Sequence, residues 1–390
     1  MNYIYISPHF PNNFAQFIVA LKKQGIKVLG IAGEPYGNLS HELRQALTEY
    51  YQVQSMDDYN QVLKACGYFT HKYGKIDRIE SHNEHWLSLD ACLRTDFNVF
   101  GFKSKDLLNI QSKWKMKEVF KKQDIPVAQG ILVSDLKSAQ SFTRKTGYPV
   151  VAKPDIGVGA SHTYKIKNNE ELKQFFETKP KVDMIMEAYI QGEIHTFDGL
   201  TDTLGHVVYS NSFVFPVGVM ETVNDDLDMI YYTQTEIPPD LDTYGRKIVK
   251  AFHLKERFFH IEFFRCKDGR LIVLEINVRP PGGYSMDIFN FANDMNYYEE
   301  YAKVVAGKEV ETRHGNKHHC IYIGQKAKHA NGYQLSRDQV LSTYHSSLVF
   351  NGPIASIFSA AIGNYAYILK GTNLSQLLND AHQILLKKEG

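Results

Sequence analysis

The most regular alternation of hydrophobic and polar residues lies in residues 258–279 and predicts a β-hairpin. Between Leu271 and Arg279 the even positions are apolar, and the odd positions from 275 onward are polar. Successive side chains of a strand point to opposite faces, so this alternation predicts one buried face and one polar face. The polar face of this strand carries Glu275, Asn277 and Arg279. These three side chains are therefore candidates for a common site.

The turn of this hairpin determines which residues lie opposite each other. The dipeptide Asp268-Gly269 is typical of a two-residue turn. Counting outward from such a turn gives the pairs Glu262–Glu275 and His260–Asn277. A three-residue loop with Gly269 at a bulge is the alternative, and it shifts the pairing by one residue.

Two carboxylates that face each other across a sheet need a counter-charge, because opposed like charges are destabilising. The simplest compensation is Mg²⁺, which prefers carboxylate oxygens shared with substrate phosphates. Solvated carboxylates on a surface hairpin are the alternative. The segment Pro280–Gly283 ends the strand and brings its backbone close to whatever Arg279 holds, which favours a site.

Hydrophobic periodicity divides the rest of the chain into strands and helices, beginning with a β-α-β unit. The predicted strands are Tyr3–Ser7, Lys27–Ala32, Ile76–Ser81, Tyr148–Pro154, Tyr164–Ile166, Met184–Ile190, Glu193–Leu200, Val207–Phe215 and Ala366–Leu369. The predicted helices are Phe14–Gln24, Trp86–Arg94, Lys113–Lys122, Ser138–Thr146, Asn169–Phe176, Asp242–Phe252, Ser285–Ala306 and Leu374–Leu386. Residues up to about 105 are expected to form an open α/β domain that binds ligands at its strand ends.

Composition narrows the class of protein. A chain of 390 residues fits two or three domains. With 44 basic and 43 acidic residues, it gives no electrostatic argument for binding nucleic acid or an anionic membrane. Its four cysteines are scattered, and it shows no basic leader and no apolar run of membrane-spanning length, so a cytoplasmic protein with reduced thiols is expected. The first strand is followed by no G-x-G-x-x-G motif, so a dinucleotide cofactor is not supported.

A second group of residues indicates phosphate and nucleotide binding. Lys153 ends an apolar strand directly before the glycine-rich segment 156–161, where it can meet a phosphate as a compact cation. A glycine loop between strands can cover a triphosphate with backbone N–H groups, although glycines in such loops are often only turn residues. The segment Glu187–Glu193 joins two strands and can offer backbone groups to an adenine edge and a carboxylate to ribose.

Several polar residues have an ordinary structural explanation. His82 and His85 precede a helix and lack a third nearby ligand, so a metal site is disfavoured, whereas Glu84 can face a substrate. His195 and Asp198 lie near the proposed ribose site or on a solvated strand. The alternative for the basic helix is a solvated face formed by Lys113, Lys115 and Lys117.

Taken in order, Lys113, Lys153 with its glycine loop, Glu187 to Glu193, and Glu262 with Glu275-x-Asn277-x-Arg279 resemble the ATP-grasp superfamily of carboxylate–amine ligases. The resemblance spans nearly the whole chain. It implies an N-terminal open α/β domain (residues 1–108), followed by a two-lobed ATP-grasp fold of α+β type. Its small lobe with the preceding helices covers residues 109–190, and its large lobe with the C-terminal part covers residues 191–390.

The resemblance also implies roles for single residues. Lys113 and Lys153 would bind the phosphates of ATP, and Glu187 would contact adenine, with Ala188, Tyr189 and Ile190 in the same nucleotide-binding segment. The covering loop would include Gly157, Gly159 and Ser161, and Glu193 would bind ribose. Glu262, Glu275 and Asn277 would hold Mg²⁺ or Mn²⁺, and Arg279 would steady the transferred phosphate.

The implied reaction is phosphorylation of a carboxylate by ATP, followed by attack of an amine on the acyl phosphate. The continuation Pro280–Gly283 resembles amino-acid and dipeptide ligases, and a homodimer is common for such folds. Purine-pathway carboxylases or formyltransferases are the second choice, because a Pro-His sequence after the arginine is lacking here. A module that binds ATP without turnover is the alternative from a different class.

Overall fold

The computed structural model describes residues 1–157, 162–329 and 332–388. Its N-terminal part is a parallel sheet with the strand order β3-β2-β1-β4. The strands are β1 (Asn2–Ile6), β2 (Lys27–Ala32), β3 (Glu49–Gln52) and β4 (Arg78–Glu80), and the helices are α1 (Ala15–Lys23), α2 (His41–Ala46), α3 (Tyr59–Tyr73) and α4 (Leu87–Asp96). The strand order reverses between β1 and β4, so the loops after these two strands border the ligand crevice expected of such sheets.

Two helices, α5 (Leu107–Gln111) and α6 (Lys113–Lys122), lead into a small lobe. Its antiparallel sheet has the order β5-β8-β6-β7. The lobe consists of β5 (Gly130–Val133), α7 (Leu136–Thr146), β6 (Val150–Pro154), β7 (Tyr164–Ile166), α8 (Asn169–Thr178) and β8 (Met184–Ala188). Apolar residues of both helices, including Phe142 and Phe175, pack on one face of this sheet and leave the other face for a ligand.

The large lobe contains a ten-stranded sheet whose main path is β14-β13-β9-β11-β12-β16-β18-β17. Its strands are β9 (Gly192–Thr201), β10 (Val207–Asn211), β11 (Phe213–Phe215), β12 (Met229–Thr233), β13 (Phe258–Cys266), β14 (Leu271–Asn277), β15 (Arg313–His314), β16 (His319–Gln325), β17 (Leu348–Pro353) and β18 (Tyr365–Gly371). Its helices are α9 (Val219–Asn224), α10 (Pro239–Ala251), α11 (Ser285–Asn293), α12 (Tyr297–Val305), α13 (Arg337–Thr343), α14 (Ser356–Ile362) and α15 (Leu374–Leu385). The mixed α/β and α+β architecture confirms the predicted fold class.

Two predicted elements are each divided in the structure. The helix predicted over Ser285–Ala306 is two helices, because Asp294 has a left-handed backbone with φ 53° and ends α11. The strand predicted over Val207–Phe215 is interrupted at Ser212 and forms β10 and β11. In both cases the apolar pattern continues across a local break in the backbone.

The hairpin β13–β14 combines the two registers that its sequence allows. Its loop spans three residues, and Gly269 lies at φ 86°, so Arg265 pairs with Leu271 as the three-residue alternative requires. A β-bulge at Leu274 then shifts the pairing back by one residue. The pairs Glu262–Glu275 and His260–Asn277 form as predicted from the two-residue turn.

The N-terminal domain is joined to the residues just before β13 by two ion pairs, one partly buried and one fully buried. Arg78 pairs with Glu256, with Nε–Oε1 2.5 Å, and the Arg257 guanidinium bonds Glu80. These contacts fix the crevice of the first sheet relative to the hairpin. In the described part of the chain no helix combines the length and hydrophobicity needed to cross a membrane.

Candidate functional site

A cavity of about 220 Å³ lies between the small-lobe sheet and strands β9, β13 and β14 of the large lobe. Both lobes and helix α6 contribute charged side chains to its wall. The charged and amide residues lining it are Lys113, Lys117, Lys153, Glu187, Glu221, His260, Glu262, Glu275, Asn277 and Arg279. The cavity therefore brings together most of the residues predicted from the sequence.

The floor of the cavity holds a buried charge triad of Lys117, Glu187 and Lys153. The Glu187 carboxylate lies 2.6 Å from Lys117 Nζ through Oε1 and 3.1 Å from Lys153 Nζ through Oε2. Burial opposes ionisation of Glu187, but the two lysines outweigh it and lower its pKa to about 2. One carboxylate thus orients two ammonium groups, which leaves a net positive charge facing the cavity.

This triad corrects one prediction and bears on a second. Lys117 is only 2% exposed, so Lys113, Lys115 and Lys117 do not form one solvated face; only Lys115 lies outward, paired with Glu118. Because both oxygens of Glu187 face lysines, its side chain positions cations, and its contact with adenine stays a prediction.

Lys113 links the glycine loop to the hairpin. Its ammonium group donates to the carbonyl oxygen of Gly157 at 2.9 Å and lies 3.7 Å from Glu275 Oε2. Gly157 has φ 151°, a conformation that side chains disfavour. The predicted loop residues Gly159 and Ser161 lie outside the described residues.

The polar face of the hairpin presents Glu262, Glu275 and Asn277 to the same cavity. Burial would raise the pKa of Glu275, but Lys113 and Lys153 hold it below its usual value. In the described residues no group of three or more His, Cys, Asp and Glu side chains could hold a metal ion. Two carboxylates and one amide form an incomplete oxygen donor set, which fits Mg²⁺ because that ion takes few protein ligands and completes its shell with water and phosphate.

His260 supports Glu262 from beneath the hairpin surface. Its imidazole bonds Asp198 through Nδ1 at 2.5 Å and Glu262 through Nε2 at 3.1 Å. Burial would lower the pKa of His260, but the two carboxylates outweigh it and raise the pKa to about 10. Asp198 is fully buried, so it is neither a solvated strand residue nor a direct nucleotide contact.

The segment between the lobes offers few free backbone donors. The Ala188 N–H donates to the Gln129 carbonyl and the Tyr189 N–H to the Pro149 carbonyl, at 2.9 and 3.2 Å. Ile190 also lines the cavity, and within the described residues its N–H has no acceptor. Of Ala188, Tyr189 and Ile190, Ile190 therefore has the backbone N–H that is open to a ligand in the cavity.

Glu193, predicted to bind ribose, does not line the cavity. Its side chain is 55% exposed and approaches His195. Strand alternation explains this, because Phe197 is buried in the opposite face of the sheet and Glu193 shares its parity. The even residues Ile194 and Thr196 lie on the cavity side instead, and the other carboxylate at the cavity wall is Glu221, on α9.

Arg279 lines the cavity at its junction with the N-terminal domain. Its Nε donates to Glu84 Oε2 at 2.9 Å, and its Nη1 donates to the Pro280 carbonyl at 2.8 Å. The loop containing Glu84 follows β4 at the crevice of the first sheet. His82, in the same loop, is buried against Phe17, and burial lowers its pKa to about 3.

Sequence reasoning missed Lys117, His260 and Glu221 as cavity residues. Lys117 lies four residues after Lys113 on a predicted helix, so the two share a face and the spacing could have identified it. His260 lies two residues before Glu262 and shares its face for the equivalent reason in a strand. No comparable signal exists for Glu221, which lies in a six-residue helix between strands.

Part of the chain matches a known protein family, and a longer part is similar to a characterised protein. Residues 146–287 match the ATP-grasp domain family. The chain is 26% identical over 221 residues to the L-arginine-specific L-amino acid ligase of Bacillus subtilis, covering 54% of this chain and 53% of that protein. The chain thus spans about half the length of this curated relative.

Two solved structures share the fold over nearly the whole chain. The L-amino acid ligase of Bacillus licheniformis aligns with a TM-score of 0.71 and 15% identity, covering 98% of this chain and 96% of that one. The N5-carboxyaminoimidazole synthetase of Staphylococcus aureus in complex with ADP aligns with a TM-score of 0.72 and 15% identity, covering 98% and 96%. Residues 146–287 thus match the ATP-grasp domain family, and nearly the whole chain shares the fold of these two enzymes.

Proposed function

We propose that this protein is an ATP-dependent, ADP-forming ligase that joins a carboxylate to an amine, with amino acids or related small metabolites as substrates. The observation that carries the proposal is the arrangement of the cavity. Lys113, Lys117 and Lys153 line the same cavity as the hairpin carboxylates Glu262 and Glu275. Pure nucleotide binding does not require groups of both signs aimed at a transferring phosphate.

The lysines account for the phosphates of ATP. Lys153 is 8% exposed, and its pKa is raised because Glu187 and Glu275 outweigh the effect of burial. It therefore stays charged at neutral pH, and in a site that excludes water its attraction for a phosphate is strong. Lys113, held by the Gly157 carbonyl, carries the positive charge toward the glycine loop.

Glu262, Glu275 and Asn277 would hold Mg²⁺, which when bound neutralises the phosphate charge and orients the terminal phosphate. His260 fixes the carboxylate of Glu262, because it donates to Oε1 and is itself held by Asp198. The hairpin thus presents its oxygen donors in a fixed geometry and requires little rearrangement for binding.

The reaction would proceed in two steps, phosphorylation of the carboxylate and attack of the amine. A carboxylate oxygen of the first substrate attacks the γ-phosphorus of ATP, the bond to the β,γ-bridging oxygen breaks, and ADP leaves. The amine nitrogen of the second substrate then attacks the acyl carbon, forms the C–N bond, releases phosphate and loses a proton. Arg279 lies where it can donate to the transferred phosphate and the acyl phosphate oxygens.

The test is ADP release by the full chain with ATP and Mg²⁺ against pooled amino acids, polyamines and purine intermediates with bicarbonate or formate. We expect release only when a carboxylate and an amine substrate are both present. Glu275→Gln should abolish turnover without unfolding the protein, because the substitution keeps the shape of the side chain. Full activity of that variant would refute the metal assignment.

The same screen separates the other functions. Release that depends on a purine intermediate with bicarbonate or formate would identify a purine-pathway carboxylase or formyltransferase. ATP binding without consumption across the whole panel would identify a non-catalytic nucleotide-binding module. Either result would overturn the proposed ligation of amino acids.

A further inference from the structure

We infer that Glu221 binds the ribose hydroxyl groups of the nucleotide and selects ribonucleotides over deoxyribonucleotides. The inference rests on the proposed function, because it assumes that the cavity binds ATP. Among the described residues, the carboxylates that line the cavity are Glu187, Glu221, Glu262 and Glu275. Glu187 is held by two lysines, and the proposed function assigns the hairpin pair to Mg²⁺ and the phosphates. Glu221 is the carboxylate left for the sugar.

The position of Glu221 fits the order of groups along ATP. The Tyr189 hydroxyl donates to Glu221 Oε1 at 3.2 Å. Tyr189 belongs to the segment between the lobes, next to Ile190, whose N–H is placed to meet an adenine edge. The ribose follows directly from the base in a nucleotide, so a carboxylate beside Tyr189 lies within reach of the sugar.

A second observation concerns the backbone that packs against this carboxylate. A Cβ atom built on Gly218 would lie only 2.7 Å from Glu221 Oε2. The missing side chain of Gly218 therefore makes room for the carboxylate in its present position. Gly218 also lines the cavity, so an added methyl group would displace Glu221 without altering its charge.

The chemistry explains the choice of a carboxylate. Neighbouring 2′ and 3′ hydroxyl groups can each donate to one oxygen of an ionised carboxylate, which only accepts hydrogen bonds. Tyr189 occupies one side of Oε1 and leaves further acceptor capacity on both oxygens. A nucleotide without the 2′ hydroxyl would lose one charge-assisted hydrogen bond.

The experiment compares the dissociation constants of ATP and 2′-deoxy-ATP, measured by calorimetry on the full chain with Mg²⁺. We expect the wild type to bind ATP about tenfold more tightly, the effect of one such hydrogen bond. Glu221→Gln should bring the ratio close to one, and Gly218→Ala should lower it in the same direction. Glu193→Gln is the matched control, since this carboxylate faces away from the cavity, and it should keep the wild-type ratio.

The outcomes distinguish failure of the ribose assignment from failure of the proposed function. If wild-type protein binds ATP and Glu221→Gln retains its preference for ATP, the ribose assignment is wrong while the proposed function stands. Loss of the preference in Glu193→Gln alone would also overturn it. If the wild type binds neither nucleotide, the proposed function fails and this inference fails with it. Unchanged melting temperatures would show that each variant is folded.

Discussion

Arg279 of the hairpin strand is joined to Glu84 of the N-terminal domain by a 2.9 Å contact between Nε and Oε2. The guanidinium therefore lies between the cavity of the two lobes and the crevice at the strand ends of the first sheet. Its Nη1 is also fixed by the Pro280 carbonyl, so the group is oriented from two sides. This position suits a residue that contacts both a phosphate and the second substrate.

Replacing Arg279 by lysine should lower kcat by about a hundredfold or more, while the dissociation constant of ATP changes less than about threefold. Lysine keeps the charge but lacks the planar fork that donates to two oxygens at once. The measurements are ADP release and calorimetry. Arg265→Lys on the same hairpin is the control, because Arg265 pairs with Asp240 and does not line the cavity. Equal losses in both variants would contradict the role of Arg279.

Removing Mg²⁺ with a chelator should weaken ATP binding at least about tenfold, because the hairpin carboxylates then face the phosphates without a cation between them. Glu262→Gln should reduce this dependence on Mg²⁺. Asp268→Asn, at the exposed tip of the same hairpin, should leave it intact. Calorimetric titrations with and without chelator measure the effect. Unaltered Mg²⁺ dependence in Glu262→Gln would speak against this ligand.

Lys117→Met should lower the free energy of unfolding by about 2 kcal/mol or more, because one oxygen of buried Glu187 loses its partner. Lys115→Met, two residues away on the same helix, should change it by less than about 0.5 kcal/mol, since Lys115 forms only an exposed pair with Glu118. Urea denaturation at pH 7 compares the two. Similar values for both variants would show that the triad does not stabilise the fold.

The same triad predicts acid sensitivity. The folded-state pKa of Glu187 is about 2, below the ordinary value of 4.5, so its stabilisation is complete above pH 4.5 and is lost as the pH falls toward 2. The shift corresponds to a loss on the order of 3 kcal/mol over that range. We expect the free energy of unfolding, measured by urea denaturation between pH 5 and pH 2, to change less steeply with pH in Glu187→Gln than in wild type. Glu193→Gln should retain the wild-type dependence of unfolding free energy on pH. The same dependence in all three proteins would show that Glu187 is not the source of the acid sensitivity.

Local pattern was sufficient to predict the elements that carry the site. The helix Lys113–Lys122 has the bounds expected from its apolar spacing, and alternation alone placed Glu262 and Glu275 on one face. Both depend on residues close in sequence, where periodicity reports directly on the buried face. The pairs across the hairpin form because the three-residue loop, which was the alternative to the two-residue turn, and a bulge at Leu274 that was not predicted offset each other.

Contacts between distant segments could not be predicted in this way. Glu221 reaches the cavity because α9 packs beside the segment between the lobes, and no spacing in its sequence records that contact. Glu193 was assigned by resemblance, whereas the alternation set by Phe197 directs it to the opposite face. The break at Asp294 depends on one left-handed residue within a continuous apolar pattern.

The bulge at Leu274 also affects how this hairpin compares with its relatives. A relative with a two-residue turn and no bulge would pair the same two glutamates with the same number of residues between them. A sequence alignment of two such chains would need no gap between the glutamates, although their turns differ in length and only one of them has a bulge. A change in turn type can thus be offset within the strand before it alters the pairing of the two glutamates.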